Sequence, residues 1–145
     1  MDRTDYQILN ILQMDCRTTL KHIGDQVGLT APAVSERVRR MEEKGVIRNF
    51  RIEVDRERLD CSMTGFIFVA VEPEKYSTFC DFCQKTPAIV SHYHVIGVFN
   101  ALLRFAVRGT RELDELLSSI KRYGDSQTSV ELKTCFETKG IPLPD

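Results

Sequence analysis

Between Leu20 and Val38 the small and apolar residues stand where two helices crossing around a tight turn require them. Ile23, Val27, Leu29, Val34 and Val38 supply the apolar contacts, and Gly24 and Gly28 lie among them. Gly24 is small where two helix backbones must approach, and Gly28 tolerates the positive φ of the turn. Thr30 offers a hydroxyl N-cap to the second of these helices. Pro32 falls in its first turn, where a missing N–H costs nothing. Agreement of so many positions at fixed spacing predicts a helix-turn-helix, and with it contact with double-stranded DNA.

The net charge of −1 is no signature of a nucleic-acid partner, but its distribution is compatible with one. Residues 37–58 hold eight basic side chains against five acids, whereas residues 59–145 hold nine against eleven. A local basic face permits phosphate contact while the acidic remainder limits indiscriminate binding. The longest nearly apolar run, Gly65 to Val71, is far too short for a bilayer, so no membrane partner is expected. Five cysteines without framework spacing read as reduced thiols, and no basic-then-apolar leader opens the sequence. The expected location is the cytoplasm, on the nucleoid.

The periodicity predicts a first helix over about 4–14, with Ile8, Ile11 and Leu12 inward and Asp2 or Thr4 as cap. A second helix capped by Thr19 ends at Val27–Gly28. The third carries Val34, Val38 and Met41 on one face and stops near Lys44–Gly45. Val46-Ile47 and Phe50 to Val54 alternate as a short strand would, and Asp55 to Asp60 reads as a connection. Next come a strand over 66–71, a helix over 76–85, strands over 90–96 and 101–107, a helix over 111–123 and a last strand over 129–137. The predicted class is α+β: a helix-turn-helix (winged-helix-like) domain over 1–48, a strand and linker over 49–61, and a ferredoxin-like βαββαβ domain over 62–145. Such a sheet leaves one face without helices, and a second copy of the chain would bury it, giving a homodimer.

This organisation resembles the Lrp/AsnC family of prokaryotic transcription regulators. The local matches are Asp5-x-x-Ile8-Leu9 and Arg37-Val38-Arg39-Arg40-Met41-Glu42-x-x-Gly45-x-Ile47. The resemblance implies dimers through the C-terminal sheets, assembly into octamers, and an effector site in the C-terminal domain. Its effector loop corresponds to Gly97, Val98, Phe99 and Asn100. Relatives that answer to amino acids carry acidic residues there, and this loop carries none. A zwitterion's ammonium group is normally paired with a carboxylate, so a different small-molecule effector, or none, stays open.

On the third helix, Thr30, Ala31, Pro32, Ser35, Glu36 and Arg39 are the residues expected to face the major groove. Ser35 and Arg39 lie four apart, on the side away from Val34 and Val38. Arg39 suits a bidentate bond to guanine, and Arg37 and Arg40 suit phosphates. Cys80-x-x-Cys83 falls in mid-helix among phenylalanines, which predicts packing rather than redox or metal chemistry. His92 and His94 share a strand face. No phosphate loop or nucleophile–base pair is present, so neither cofactor nor metal is expected. Two rivals to an effector-controlled regulator remain: an architectural DNA-binding protein without effector, and an enzyme like the family's tetrapyrrole-decarboxylating relatives, with His92 or His94 donating protons. That enzyme would have no use for three closely spaced arginines on the third helix.

Overall fold

The computed structural model describes residues 1–136 and 138–143. They form two compact units: Met1–Glu53 with the chain from Phe136 onward, and Val54–Cys135.

The first unit holds helices α1 (Arg3–Met14), α2 (Leu20–Val27) and α3 (Ala31–Glu43). Asp2 caps α1 through a reciprocal box: its carboxylate accepts from the Asp5 N–H, and the Asp5 carboxylate accepts from the Asp2 N–H. The Thr19 hydroxyl caps α2 at the His22 N–H. Gly28 adopts φ 71°, and a Cβ on Gly24 would lie 2.3 Å from the Leu29 carbonyl oxygen, so both turn glycines are required by geometry. Ile8, Ile23, Val34 and Met41 are fully buried, with Leu9 beside them and Val27, Leu29, Val38 and Ile47 packed around. Each such side chain contributes about 1.5–3 kcal/mol. The chain from Phe136 onward returns to this unit. The Gln13 amide donates to the Ile141 carbonyl (3.2 Å) and accepts from its N–H (2.6 Å), while Leu143 packs on the same core.

Two expectations fail here. Thr30 occupies the N-cap position of α3 but makes no side-chain cap bond. The strand expected over Val46–Val54 does not form. The N–H groups of Val46 and Ile47 both turn back to the Met41 carbonyl, closing α3 around left-handed Gly45. Phe50, Ile52 and Val54 stay exposed, since a strand needs a partner edge for its ladder and none among the described residues pairs with them.

The second unit holds β1 (Met63–Val71), α4 (Tyr76–Lys85), β2 (Ile89–His94), β3 (Ala101–Val107), α5 (Thr110–Ile120) and β4 (Gly124–Val130). The antiparallel sheet runs β2-β3-β1-β4, the ferredoxin-like order. Alternate residues Ile67, Val69, Val71, Leu103, Phe105 and Val107 point to the helices and meet Phe79, Cys83, Leu113, Leu116 and Ile120. The opposite face carries Phe66, Phe68, Leu102 and Arg104, uncovered by any helix. The Arg104 guanidinium lies 5.9 Å from the Phe66 ring and pairs with Glu131, which also accepts from the Thr64 hydroxyl.

The last strand lies earlier than the expected 129–137, whose end, Glu137, is outside the described residues. β4 pairs with β1 from Val71↔Gly124 to Gly65↔Val130, and one further bond joins the Glu131 N–H to Thr64. Beyond that point β1 offers no further edge, and Leu132 and Phe136 are exposed. A Cβ on Gly124 would lie 2.0 Å from the Ala70 carbonyl oxygen, which fixes a glycine at this start. The expected bounds of the other strands and helices hold to within a few residues.

Candidate nucleic-acid interface and effector loop

α3 is amphipathic, and its sides are assigned by what they touch. Val34 and Met41 are buried, whereas Thr30, Pro32, Ser35, Glu36 and Arg39 are exposed and Ala31 is half-buried. The structure therefore places Pro32, Ser35, Glu36 and Arg39 on one solvent-facing side of the helix, with exposed Thr30 at its N-cap and half-buried Ala31 beside it. Pro32 occupies the first turn, as its fixed φ favours.

The three arginines differ. Arg37 reaches across to the start of α1, where one nitrogen donates to both Asp2 oxygens (2.7 and 2.9 Å) and to Asp5 (2.7 Å). Arg40 donates to the same Asp5 carboxylate at 3.2 Å. Asp5 is buried at 1% exposure, a fully enclosed acid in the first unit. Burial pushes its carboxyl up, but the bonds from Arg37 and from the Asp2 N–H outweigh burial and hold it below the usual carboxylate range. The Arg37 bond holds Asp2 low in the same way, and the two carboxylates raise Arg37 in turn. Arg39 stays on its own helix. Its Nε and Nη2 grip the two oxygens of Glu36 (3.0 and 2.6 Å), and Nη1 donates to Glu43. The bond from Arg39 lowers the Glu36 carboxyl pKa.

In the second unit, the loop between β2 and β3 is built around Asn100. Its amide accepts from the Val71 N–H (2.8 Å) and donates to the Val71 carbonyl (2.9 Å). Its backbone N–H donates to Val69, and its carbonyl accepts from Val95. Asn100 thus pins the loop to the end of β1. Phe99 packs on Phe68 with ring centroids 6.0 Å apart, while Gly97 and Val98 are exposed. Beside the loop, His94 stacks on Tyr76 at 4.4 Å, and the Tyr76 hydroxyl lies 3.4 Å from His92 Nε2. No loop residue is ionisable. An open groove in the same unit, lined by Phe82, Thr86, Arg108, Glu112 and Glu115, does not include the loop.

A family model for the AsnC-type helix-turn-helix domain matches residues 1–42, and one for the Lrp/AsnC ligand binding domain matches residues 64–141. The chain belongs to the Lrp/AsnC family. It is 34% identical to the HTH-type transcriptional regulator FL11 of Pyrococcus horikoshii, over 99% of this chain and 97% of that protein. The solved LrpC of B. subtilis superposes with a TM-score of 0.87 at 25% identity, over 96% of this chain and 99% of that one. A regulator from Neisseria meningitidis, solved in complex with L-Met, shares the fold at a TM-score of 0.90 and 22% identity, over 98% and 96% of the two chains. The protein is thus an Lrp/AsnC-type transcription regulator with a DNA-binding helix-turn-helix and a ligand-binding domain. Among the described residues, no helix is long and apolar enough to cross a membrane.

Within the Lrp/AsnC ligand-binding domain, Cys80 and Cys83 lie in the middle of α4. Cys83 is buried, and burial pushes its thiol up to about 12, the reverse of a redox-active thiol. His92 sits against Tyr76 and Phe79, and burial lowers its pKa, with His94 adding to the effect. Among the described residues, no cluster of three or more His, Cys, Asp or Glu side chains is placed to hold a metal ion. Asp2 caps α1 as expected, but the reciprocal part of Asp5 and the ion pairs of Asp2, Asp5 and Glu43 with the arginines are not foreseen from the sequence. For Asp5 a signal existed: acids three apart at a helix start spell a capping box.

Proposed function

We propose that this Lrp/AsnC regulator binds DNA as a homodimer, with α3 of each copy in the major groove. Ser35, Glu36 and Arg39 face base edges, while Thr30, Ala31 and Pro32 bring the helix start close to the duplex. Arg40, 45% exposed at its side chain, contacts phosphate, and Arg37 contributes through the frame it builds with Asp2 and Asp5. The observation that carries this reading is the exposure of Ser35, Glu36 and Arg39 on one side of a helix whose other side is locked into the core.

The apolar, helix-free face of the sheet suits a second copy, and larger assemblies up to an octamer would follow from repeating contacts. Two reading heads then address half-sites about one helical turn, ~34–36 Å, apart or multiples of it. A small-molecule effector would act at Gly97, Val98, Phe99 and Asn100. With its side chain committed to Val71 and its backbone to Val69 and Val95, Asn100 would shape the loop around such a ligand through the hold it keeps on β1. The Neisseria relative was solved with L-Met. Here the uncharged loop favours a ligand without an ammonium group, or an architectural role without effector. In this role the protein performs no catalytic step and acts on the nucleoid, in the cytoplasm.

The test is fluorescence anisotropy on the gene's own upstream DNA and on a shuffled duplex, across a salt series. A preference for the upstream site that persists near physiological salt supports local, autoregulating control. Equal and steeply salt-sensitive binding to both supports the architectural role, and no binding to either refutes the assignment of α3.

A further inference from the structure

All three arginines of α3 are paired with carboxylates of this chain, and the helix itself carries three acids against three bases. A recognition helix with no net charge gains little from phosphate attraction alone. What it presents outward is a pair: the Arg39 fork gripping Glu36 by two bonds, both side chains more than half exposed. Being exposed and screened by solvent, the pair opens when the duplex offers both partners replacement bonds. Opening it on a duplex has an asymmetric consequence. Arg39 finds an acceptor on any sequence, at a phosphate or a guanine edge. Glu36 is an acceptor only, and in the major groove it needs an amino group, which cytosine N4 or adenine N6 supplies. Where the facing base lacks one, a desolvated carboxylate is left against acceptors and phosphates, which is repulsive.

Resting on the placement of α3 proposed above, we propose that Glu36 is a specificity-determining residue acting as one unit with Arg39. Engagement of guanine by Arg39 releases the Glu36 carboxylate, which then accepts from the amino group of a cytosine or adenine on the strand it faces, one or two base pairs away; guanine or thymine on that strand presents an acceptor there instead. The spacing fits, because side chains three apart on a helix are about 5–6 Å apart and successive base pairs about 3.4 Å. Glu43 grips the same guanidinium from the next turn and lies farther from the helix start, so it weakens binding without reading a base.

The experiment is in vitro selection from a randomised duplex library with the full chain, its E36Q, R39Q and E43Q variants, and anisotropy on the selected site and a random duplex. The wild-type protein should select a guanine together with cytosine or adenine, and not guanine or thymine, at one position of a fixed strand one or two pairs away. E36Q should no longer reject guanine or thymine at that position and should shift it toward adenine, because its amide donates as well as accepts, while the guanine read by Arg39 is kept; R39Q should lose that guanine. E36Q should bind random duplex about fivefold more tightly near 150 mM salt, because one net cation is gained and the salt slope steepens by about 0.9. E43Q should show a similar gain with an unchanged site preference. An E36Q preference identical to wild type overturns the proposal while leaving DNA recognition standing. A wild-type protein that binds every duplex equally also overturns it, and one that binds none refutes the placement of α3 itself.

Discussion

Asn100 offers a perturbation of a single group, because Asn100→Asp keeps the shape of the side chain and replaces its NH2 donor by a charged acceptor oxygen. In the native protein the amide satisfies both the N–H and the C=O of Val71, a residue only 4% exposed. After the substitution the Val71 N–H still has an acceptor, now charged, which is worth about 1 kcal/mol more than a neutral one. The Val71 carbonyl loses its donor and faces a second oxygen at the former 2.9 Å, at a cost of about 1–3 kcal/mol for the unsatisfied group plus the direct repulsion. The net loss is about 1–2 kcal/mol, or roughly 5–15 °C for a unit of this size. Thermal and urea unfolding at fixed protein concentration would measure it, with Asn100→Ala as a companion that loses both bonds, about 2–4 kcal/mol. The acid limb separates the two variants. Once protonated, the introduced carboxyl group can again donate to the Val71 carbonyl, so its native pKa is raised. The deficit of the aspartate variant relative to wild type should therefore shrink as pH falls through that raised value and be smallest below about pH 4, whereas the alanine deficit should not change in this way. Stability of the aspartate variant within about 0.5 kcal/mol of wild type at pH 7 would refute the reasoning.

Asp5→Asn should destabilise the first unit by about 2–3 kcal/mol at pH 7, because it removes the buried charge shared by two partly exposed arginines. Since the native Asp5 pKa is depressed, its contribution is complete above the ordinary carboxyl value and lost as pH falls through the native one. Stability should therefore fall less on acidification in the variant than in wild type, and parallel curves would count against the pair. Gly24→Ala, which forces a Cβ into the Leu29 carbonyl, should cost more than about 3 kcal/mol and abolish DNA binding. Gly28→Ala meets open space and only backbone strain, so about 1–2 kcal/mol is expected in the same melts, and equal effects would contradict the geometry. In alkylation of the native protein followed by mass spectrometry, exposed Cys16 and Cys135 should react first and buried Cys83 last.

What can be read from the residues is what depends on local periodicity and stereochemistry. Gly24, Gly28 and Pro32 are dictated by the turn they occupy, and the alternation in β1 and β3 is the imprint of a sheet with one buried face. β4 lies off its expected range because an edge strand of Asp, Ser, Gln and Thr carries no such imprint; its position is set by where β1 still has free edge. The segment Phe50–Val54 fails in the opposite sense, having the alternation of a strand but no edge to join. In the candidate site, helical spacing identifies the outward side of α3. The partners of its arginines are not legible, because Arg37 meets Asp2 and Asp5 across more than thirty residues of chain. Asn100 stands out only as an uncharged loop residue, and its bond to Val71 depends on tertiary structure.

The Gln13–Ile141 clasp means that residues 54–135 are, in chain order, an insertion within the helical unit rather than a domain appended to it. A ribosome making this protein finishes the inserted sheet before the helices that precede it receive the contacts of Ile141 and Leu143. A fragment ending at residue 53 would therefore carry an unclosed core and an unpaired Gln13. A single proteolytic cut in the exposed stretch before β1 would instead leave the C-terminal segment bound to the helices, among the described residues through the Gln13–Ile141 hydrogen bonds and Leu143.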